Sequence, residues 1–489
     1  MDLKAKLINL VMPAYRFGQN DIEYALELSK RGVGGFCLFW GTPGSVYELT
    51  STVKERFGTD MLFCADYEEG AGRWVNGSTE LPSNMAIGAS GLEALAYEKA
   101  RITAAEALAM GVDWVFAPVV DLADSAENPI VNIRSFGDRT ELVSRLAGAY
   151  SRGLTDGGVL NSLKHFPGHG ATETDSHMAL PVLRRSLAQL KATELVPYAD
   201  NLSRADSVMI GHLVFPDIDA ENPASLSPKM INGLLRRDMG FEKCVLTDGL
   251  SMKAIGDENE AALKALAAGA DILLVPDNPT RLCDFLSKAF DEGRIKHADI
   301  ERAYAHLQQV RRRAAEIRRQ ALPLETVGCD EHHAFCRRSA AQCLSWYQRE
   351  GFKSFEDGET VAYIEAGTQD FTAIKGRRFV DALEQHGVRV VPWSESVSHL
   401  RLLVASLSRP QAFSGKINLE DTEVARITRA CKGKMTMVSF GSPFVFGRFA
   451  GKIAGGLCTF SAIGEFQQAA AAVLCGKAEA AGKAPAGGL

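Results

Sequence analysis

The stretch SLKHFPGHGATETDSHMALP, residues 162–181, follows an apolar run and is crowded with titratable side chains. Lys164 and His165 stand near its beginning, and Asp175 and His177 stand further along. Its prolines and glycines exclude a simple helix, so a shaped loop leaving the end of a strand is predicted. What these side chains can do depends on where that strand lies in the fold.

The strand before this loop is one of a series. Short apolar runs, rich in β-branched and aromatic residues, alternate with amphipathic helical stretches through the first 320 residues. This alternation is typical of βαβ units and a parallel sheet. The candidate strands are LVMPAY (10–15), GGFCLFW (34–40), MLFCAD (61–66), DWVFAPVVD (113–121), LNSLKHF (160–166), SVMIGHLVF (207–215), KCVLTD (243–248) and ADILLVP (270–276).

Polar side chains stand at or near the carboxyl ends of several of these strands, the face where barrel enzymes build their sites. An open doubly wound sheet would more commonly show a glycine-rich phosphate turn after its first strand, and residues 12–21 show none. We therefore predict an α/β fold whose N-terminal part, residues 1–320, is a (β/α)8 TIM-type barrel. The polar residues at the predicted face are Asp66, Asp121, Lys164, His165, His212 and Asp248.

The pattern changes after about residue 320, where a linker leads into a helix and further strand candidates. We predict a smaller C-terminal α/β sandwich domain over residues 321–489, with an Ala/Gly-rich tail, 477–489, held loosely at the surface. Its candidate strands are TVAYIEAG (360–367), RVVPW (389–393), LRLLVASLS (400–408), KMTMVSFG (434–441) and GGLCTF (455–460).

Length and charge limit the class of protein. A chain of 489 residues exceeds the usual size of one hydrophobic core, which favours two domains. The net charge of −6 provides no basic field and argues against nucleic acid as a partner. The basic run at residues 311–319 is predicted to be a solvated helix face.

The N-terminus has no pattern of a signal peptide, and no stretch reaches the ~20 apolar residues of a membrane helix. The ten cysteines form no C-x-x-C pair, so we expect buried reduced thiols and no metal site. Together these features predict a cytoplasmic protein without a membrane partner. The sequence does not predict an oligomeric state.

Asp175 stands two residues before His177, and such an Asp can accept a hydrogen bond from one ring nitrogen and support the protonated ring. The alternative is a loop whose histidines only cap helices or bind carbonyl groups. The pairing of Lys164-His165 with Asp175-Ser176-His177 favours a catalytic site.

The pattern K-H-F-P-G-H-G-x-x-x-x-D-S-H at residues 164–177 resembles the signature of the β-N-acetylglucosaminidase branch of glycoside hydrolase family 3. The segments CADYEEGAGRW (64–74), APVVDLADSAENPIVNIRSFGDR (117–139) and LTDGLSM (246–252) resemble the family's acidic, sugar-binding and nucleophile segments. The resemblance covers most of the predicted barrel and extends only weakly into the second domain.

The resemblance implies a role for each matching residue. Asp248 would be the nucleophile that forms a covalent glycosyl-enzyme, and His177 the general acid/base, oriented by Asp175. The sugar at the non-reducing end would be bound by Asp66, Arg134, Lys164 and His165. For His212 we expect either a contact with the sugar or a position that supports the site. Asp121 has two possible roles, as part of the site or as a cap on the loop after strand four.

The expected activity is that of an exo-acting, retaining β-N-acetylglucosaminidase on peptidoglycan- or chitin-derived oligosaccharides, with a small-molecule carbohydrate as partner. Two side chains suffice for this chemistry, so no cofactor and no metal are expected. A histidine near its ordinary pKa can donate a proton to the leaving oxygen and later take one from water.

Three alternatives remain open. A β-N-acetylglucosaminide phosphorylase of the same family is admitted, because a neutral histidine does not repel phosphate. A β-glucosidase or other family 3 glycosidase is disfavoured by the D-S-H loop. A decayed, non-catalytic barrel would have lost Asp248 or His177, and both are present.

Three local departures accompany the resemblance. The acidic segment from Asp66 to Arg73 is one residue shorter than the family's, which leaves the role of Arg73 open. Gly249 stands where the family usually has a second acid. Trp40, at the end of strand two, is either a stacking surface for a sugar or a packing residue.

Overall fold

The structure is a computed structural model that describes residues 1–172, 180–319, 322–367, 376–408 and 419–487. These residues form two compact units. The first unit comprises Met1–Glu80, Ala96–Asp121 and Ser144–Cys329. The second unit comprises Leu81–Leu95, Leu122–Val143 and Asp330–Leu489.

The first unit contains a ring of parallel strands that closes on itself. The strands pair in the order β2, β3, β4, β5 and β6, β7, β8, and β1 pairs with β9. Single bridges at Trp114–Leu160 and Leu246–Ile272 complete the ring. The strands are β1 (Val11–Met12), β2 (Ala14–Arg16), β3 (Gly35–Phe39), β4 (Leu62–Ala65), β5 (Trp114–Val115), β6 (Ser162–Phe166), β7 (Ser207–Ile210), β8 (Cys244–Thr247) and β9 (Leu273–Leu274).

Every predicted barrel strand contains an observed one, and the predicted first strand is divided into β1 and β2 by Pro13. Proline cannot donate a ladder hydrogen bond. Its carbonyl still accepts the N–H of Cys37 at 2.9 Å, so the division does not open the ring. The predicted α/β class with a (β/α)8 barrel is confirmed.

Helices alternate with these strands, and their limits follow local sequence. The helix after β2 begins where the side chain of Asp21 accepts the N–H of Tyr24, and it ends at Gly32, whose φ is +95°. The helices up to residue 319 are α1 (Leu3–Ile8), α2 (Ile22–Arg31), α3 (Pro43–Phe57), α4 (Asn84–Ser90), α5 (Glu93–Ala109), α6 (Thr140–Gly157), α7 (Leu187–Ala192), α8 (Val196–Asn201), the π-helix Lys229–Asp238, α9 (Glu258–Ala268), α10 (Pro279–Asp291) and α11 (His297–Ile317).

Helix α11 binds acidic residues that stand just before barrel strands. The carboxylate of Asp271, before β9, is fully buried and contacts the side chains of Arg302 and His306 at 3.4 and 2.9 Å. It also contacts Arg236 at 2.7 Å and accepts the N–H of Val245 at 2.9 Å. The buried charge is therefore compensated from several sides.

The prediction that the basic run 311–319 is a solvated face is wrong for Arg311, which is half-buried. It is incomplete for Arg313 and Arg318, whose side chains are 42% and 35% exposed but also reach buried carboxylates. Arg311 donates to the side chain of Asn9 at 2.7 Å. Arg313 contacts Asp206, before β7, at 3.4 Å, and Arg318 contacts Asp113, before β5, at 2.7 Å. These arginines lie at the amino ends of the strands, where they offset the cost of burying the carboxylates of Asp206 and Asp113.

The second unit contains a mixed sheet in the order β10, β15, β14, β13, β11, β12, in which only the β10–β15 pair is antiparallel. The five predicted strands are confirmed, and β10 was not predicted. The elements are α12 (Asp330–Cys343), β10 (Ser345–Gln348), β11 (Thr360–Gly367), α13 (Arg377–Gln385), β12 (Arg389–Pro392), β13 (Arg401–Leu407), α14 (Asp421–Ala430), β14 (Met435–Ser439), β15 (Ile453–Cys458) and α15 (Gly464–Leu474).

The tail of the second unit is more firmly held than the sequence predicts. Its backbone N–H groups donate from Ala481 to Ala341 at 2.9 Å and from Lys483 to Ala89 at 2.8 Å. Ala486 is buried. The predicted loose segment is thus fixed by backbone hydrogen bonds at least as far as residue 483.

Of the helices in the described ranges, none combines the length and the apolar composition required to cross a membrane. All ten cysteines are described and are free thiols. The domain limits 1–320 and 321–489 stay a prediction.

We expect the Asp271→Asn variant to lower the free energy of unfolding by about 2 to 4 kcal/mol, because it leaves buried cations without their counter-charge. Urea unfolding followed by circular dichroism measures this loss. The control is Glu260→Gln, which breaks an exposed ion pair with Arg294, and we expect its midpoint to match the wild type. Equal midpoints for all three proteins would contradict the structural role of Asp271.

Candidate active site

Lys164, in β6, forms a buried charge cluster with carboxylates that follow β4. Its ammonium lies 2.5 Å from a carboxylate oxygen of Asp66 and 2.5 Å from one of Glu68. The Lys164 side chain is 2% exposed and that of Asp66 is 30% exposed. The lysine is therefore held by two carboxylates, while part of the Asp66 carboxylate can still accept hydrogen bonds from a ligand.

His165, the next residue, is oriented by Asp121. Its Nδ1 lies 2.7 Å from Oδ2 of Asp121, and both side chains are buried. Because Asp121 occupies one ring nitrogen, this contact fixes the orientation and the tautomer of the imidazole. The two residues stand 44 positions apart in the sequence.

Asp121 also organises the backbone of the turn after β6. Its carboxylate accepts the backbone N–H of His165 at 3.2 Å and that of His169 at 2.7 Å. Burial opposes its ionisation, but His165 and His169 outweigh that effect and lower the pKa of Asp121 below its ordinary value. Asp121 thus accepts backbone N–H groups as a cap does, but the turn that it caps follows β6 and not strand four.

His169 is a buried member of the site that sequence reasoning did not single out. Its Nδ1 contacts the hydroxyl of Thr172 at 2.9 Å, and its ring meets that of His165 edge to face, with centroids 6.0 Å apart. Burial, followed by the nearby His165, lowers the pKa of His169 from 6.5 to about 4. The ring is therefore neutral at pH 7.

Gly168 lets this turn approach its support. Its φ is +140°, and a Cβ atom there would lie 2.8 Å from Cβ of Glu194. Glu194 is itself buried and contacts Arg185 at 3.1 Å. A larger residue at position 168 would thus be both strained and in collision.

Asp248 is partly exposed and follows β8. Its backbone N–H donates to the carbonyl of Ile210 at 3.0 Å, and its Oδ1 accepts the N–H of Gly249 at 2.8 Å. The carboxylate is thus held at the strand end with surface left for a ligand.

His212 supports the turn at Asp248. Its Nε2 lies 3.1 Å from the carbonyl oxygen of Gly249, and its Nδ1 lies 2.7 Å from the hydroxyl of Ser225. The ring is fully buried. This geometry favours a supporting position, while the sugar contact stays a prediction.

The remaining predicted site residues stay predictions. Arg134 lies in the second unit, where it ends the short helix Asn132–Arg134 and its carbonyl accepts from Asn84 at 2.7 Å. Asp175 and His177 lie outside the described residues.

Glu68, His169 and Ser225 are the site residues that sequence reasoning missed. Glu68 stands two positions after Asp66, and that spacing in an acidic segment was an available signal. Nothing local to Ser225 indicates its contact with His212.

The described site presents partly exposed carboxylates beside fixed cationic and imidazole groups, at the carboxyl ends of β4, β6 and β8. Carboxylates accept and ammonium groups donate, which suits a ligand with several hydroxyl groups. Within the described ranges, no group of three or more His, Cys, Asp or Glu residues is arranged to hold a metal ion.

Comparison with known proteins agrees with this chemistry. Residues 2–310 match the family described as the glycosyl hydrolase family 3 N terminal domain. A β-hexosaminidase of Neisseria meningitidis serogroup C is 37% identical over 293 residues, covering 57% of this chain and 79% of that protein. A β-hexosaminidase of Pseudomonas aeruginosa is 36% identical over 251 residues, covering 50% and 75%.

Solved structures extend the likeness over both units. A glycoside hydrolase family 3 β-N-acetylglucosaminidase from Paenibacillus is similar with a TM-score of 0.89 and 29% identity, over 99% of each chain. A β-glucoside phosphorylase has a TM-score of 0.91 over 99% of this chain and 94% of its own, at 21% identity. The latter similarity concerns the fold alone.

The buried His169 predicts a pH dependence of stability. The unfolded chain takes up a proton near pH 6.5, whereas the folded chain resists protonation down to about pH 4. Stability contributed by the neutral ring is therefore complete above pH 6.5 and is lost as the pH falls toward 4. For this group alone, we expect a loss of up to about 3 kcal/mol across that interval.

Urea unfolding of the His169→Gln variant at several pH values between 4 and 7 tests this expectation. In the His169→Gln variant the free energy of unfolding should fall less steeply between pH 6.5 and 4 than in the wild type. The His297→Gln variant, changed at an exposed position on α11, should keep the wild-type slope. Parallel slopes for wild type and His169→Gln would contradict the assignment.

Proposed function

The chain belongs to glycosyl hydrolase family 3, and from this premise we propose that it is an exo-acting, retaining β-N-acetylglucosaminidase. It is a glycoside hydrolase of the β-N-acetylhexosaminidase type, as are its relatives at about 35% identity. The proposal rests on the position of Asp248. Its carboxylate is partly exposed and held at the end of β8, within the residues that match the family.

In the first step, a carboxylate oxygen of Asp248 attacks the anomeric carbon of the terminal N-acetylglucosamine while the glycosidic C–O bond breaks. His177 donates its proton to the leaving oxygen, and Asp175 supports the imidazolium form. The product is a covalent glycosyl-enzyme. The roles of Asp175 and His177 rest on the sequence resemblance at residues 164–177, and that of Asp248 on the resemblance at residues 246–252.

In the second step, the neutral His177 takes a proton from water, and the water oxygen attacks the anomeric carbon. Asp248 leaves as a carboxylate and the sugar is released. Histidine suits both directions of transfer because its ordinary pKa lies near neutral pH.

From the sequence resemblance we propose that Asp66, Lys164, His165 and Arg134 bind the terminal sugar, and that His212, whose buried ring contacts Ser225 and Gly249, supports the turn at Asp248. Lys164 and Asp66 offer a donor and an acceptor 2.5 Å apart, which suits neighbouring hydroxyl groups. Each buried hydrogen bond left unmade costs about 1–3 kcal/mol, so this pair provides discrimination.

We further propose that the natural substrates are oligosaccharides derived from peptidoglycan or chitin, and that the enzyme acts in the cytoplasm. The ten free cysteines support a reducing compartment. A disulfide found in the purified native protein would argue against this location.

The first test is turnover of p-nitrophenyl β-N-acetylglucosaminide with and without phosphate, followed by analysis of the sugar product. We expect free N-acetylglucosamine under both conditions, because water completes the second step. Formation of N-acetylglucosamine 1-phosphate would identify a phosphorylase instead. Turnover of the β-glucoside alone would show a glucosidase.

The second test separates the two catalytic roles. We expect Asp248→Asn to lower kcat by about 10⁴-fold or more on every substrate, because no covalent intermediate forms. His177→Ala should lower kcat by about 10²–10⁴-fold on a disaccharide but far less on the 2,4-dinitrophenyl glycoside, whose leaving group needs no proton.

The control for the second test is His297→Ala, an exposed histidine on α11, which should match the wild type on both substrates. An equal loss on both leaving groups in His177→Ala would exclude His177 as the acid.

A further inference from the structure

Three aromatic rings form a cluster just beyond the carboxyl ends of β3 and β4, which we call the aromatic platform: Phe39, Trp40 and Trp74. The ring centroids of Trp40 and Trp74 lie 6.2 Å apart, and those of Phe39 and Trp74 lie 5.3 Å apart. Both pairs are edge to face, an arrangement that aromatic rings favour. Phe39 is also covered by the guanidinium of Arg16 at 5.5 Å.

The ring of Trp40 packs against Phe39 and Trp74 but stays largely open to solvent. Its side chain is 43% exposed, which forfeits much of the gain of burying so large a ring. Its φ is +66°, a left-handed backbone that a large side chain adopts at a cost. Residues in such conformations cluster at functional sites.

The backbone around Trp40 is fixed on both sides. A Cβ atom on the next residue, Gly41, would lie 2.9 Å from the ring of Phe17, so the chain packs closely there. The carbonyl of Gly41 accepts the N–H of Asn76 at 2.9 Å. The exposed ring is therefore presented by a rigid support.

Trp74 joins the aromatic platform to the charge cluster of the active site. Its indole N–H donates to the backbone carbonyl of Asp66 at 2.9 Å. The carboxylate of the same Asp66 contacts Lys164. The platform thus adjoins the residues that hold the terminal sugar, and all of them lie in the first unit.

We propose that the aromatic platform is the binding site for the leaving group of the substrate, and that this leaving group is a pyranose ring stacked on Trp40. The inference rests on the proposed function. Asp66 and Lys164 bind the hydroxyl groups of the terminal sugar. Trp40, which is linked to Asp66 through Trp74 and is exposed, offers a surface for the next residue of the oligosaccharide. An exposed indole offers a flat apolar surface to the C–H face of a sugar.

The test compares ligands that do and do not reach the aromatic platform. In an Asp248→Asn background, which prevents cleavage, we expect the added Trp40→Ala substitution to weaken binding of the β-1,4-linked N-acetylglucosamine disaccharide about tenfold. Binding of free N-acetylglucosamine should stay within about twofold, since it occupies only the inner position. Isothermal titration calorimetry measures both.

Two matched variants control the comparison. Trp40→Phe should keep most of the disaccharide affinity, because it retains a flat ring. Phe290→Ala removes a ring at the end of α10, beside Asp291 and its partner Lys4 ahead of β1, at the opposite end of the barrel. We expect Phe290→Ala to leave both affinities unchanged.

The outcomes separate this inference from the proposed function. The proposed role of the aromatic platform would be wrong if Trp40→Ala left the disaccharide affinity unchanged, or if it weakened binding of both ligands equally. Either result would count against the platform even when the wild type releases N-acetylglucosamine. Selective loss of disaccharide binding would support the platform as a sugar site even when the wild type proves to be a phosphorylase.

Discussion

Closure of the strand ring is the constraint on which the rest of the structure depends. The first and last strands meet through only two residue pairs, Val11–Leu273 and Met12–Leu274. Because every pair in the closed ring is parallel, all strands end at the same face, and closure gathers those ends around one centre. Asp66, Lys164 and Asp248, which come from distant parts of the sequence, share this face only for that reason.

Buried charge is used differently at the two ends of the ring. At the amino ends, the carboxylates of Asp113, Asp206 and Asp271 are met by arginines and serve to hold strands to α11. At the carboxyl ends, the carboxylates hold side chains instead: Asp66 contacts Lys164, and Asp121 contacts His165. The same desolvation cost that makes an unpaired charge unfavourable therefore fixes the geometry of the site without a ligand.

The sequence predicted what depends on local pattern and missed what depends on long-range pairing. The barrel strands were predictable because apolar runs and helical stretches alternate regularly. The contacts of Lys164 with Asp66 and of His165 with Asp121 span 98 and 44 positions, and no local signal specifies them. The basic run at 311–319 shows the same limit, since helical spacing places arginines on a face but does not say what that face meets. Strand β10 was missed because four residues directly after a helix give too short a pattern.

Helix α11 and the arginine that follows it also constrain the order in which the chain can mature. Protein synthesis proceeds from the amino end, so the strands of the ring leave the ribosome before the arginines that bind the residues at their starts. Until Arg318 has emerged, Asp113 lacks that partner, although it stands more than two hundred positions earlier. The nascent ring therefore lacks both its closing strand and these contacts for most of its translation, and an incompletely packed species of this kind is prone to aggregation.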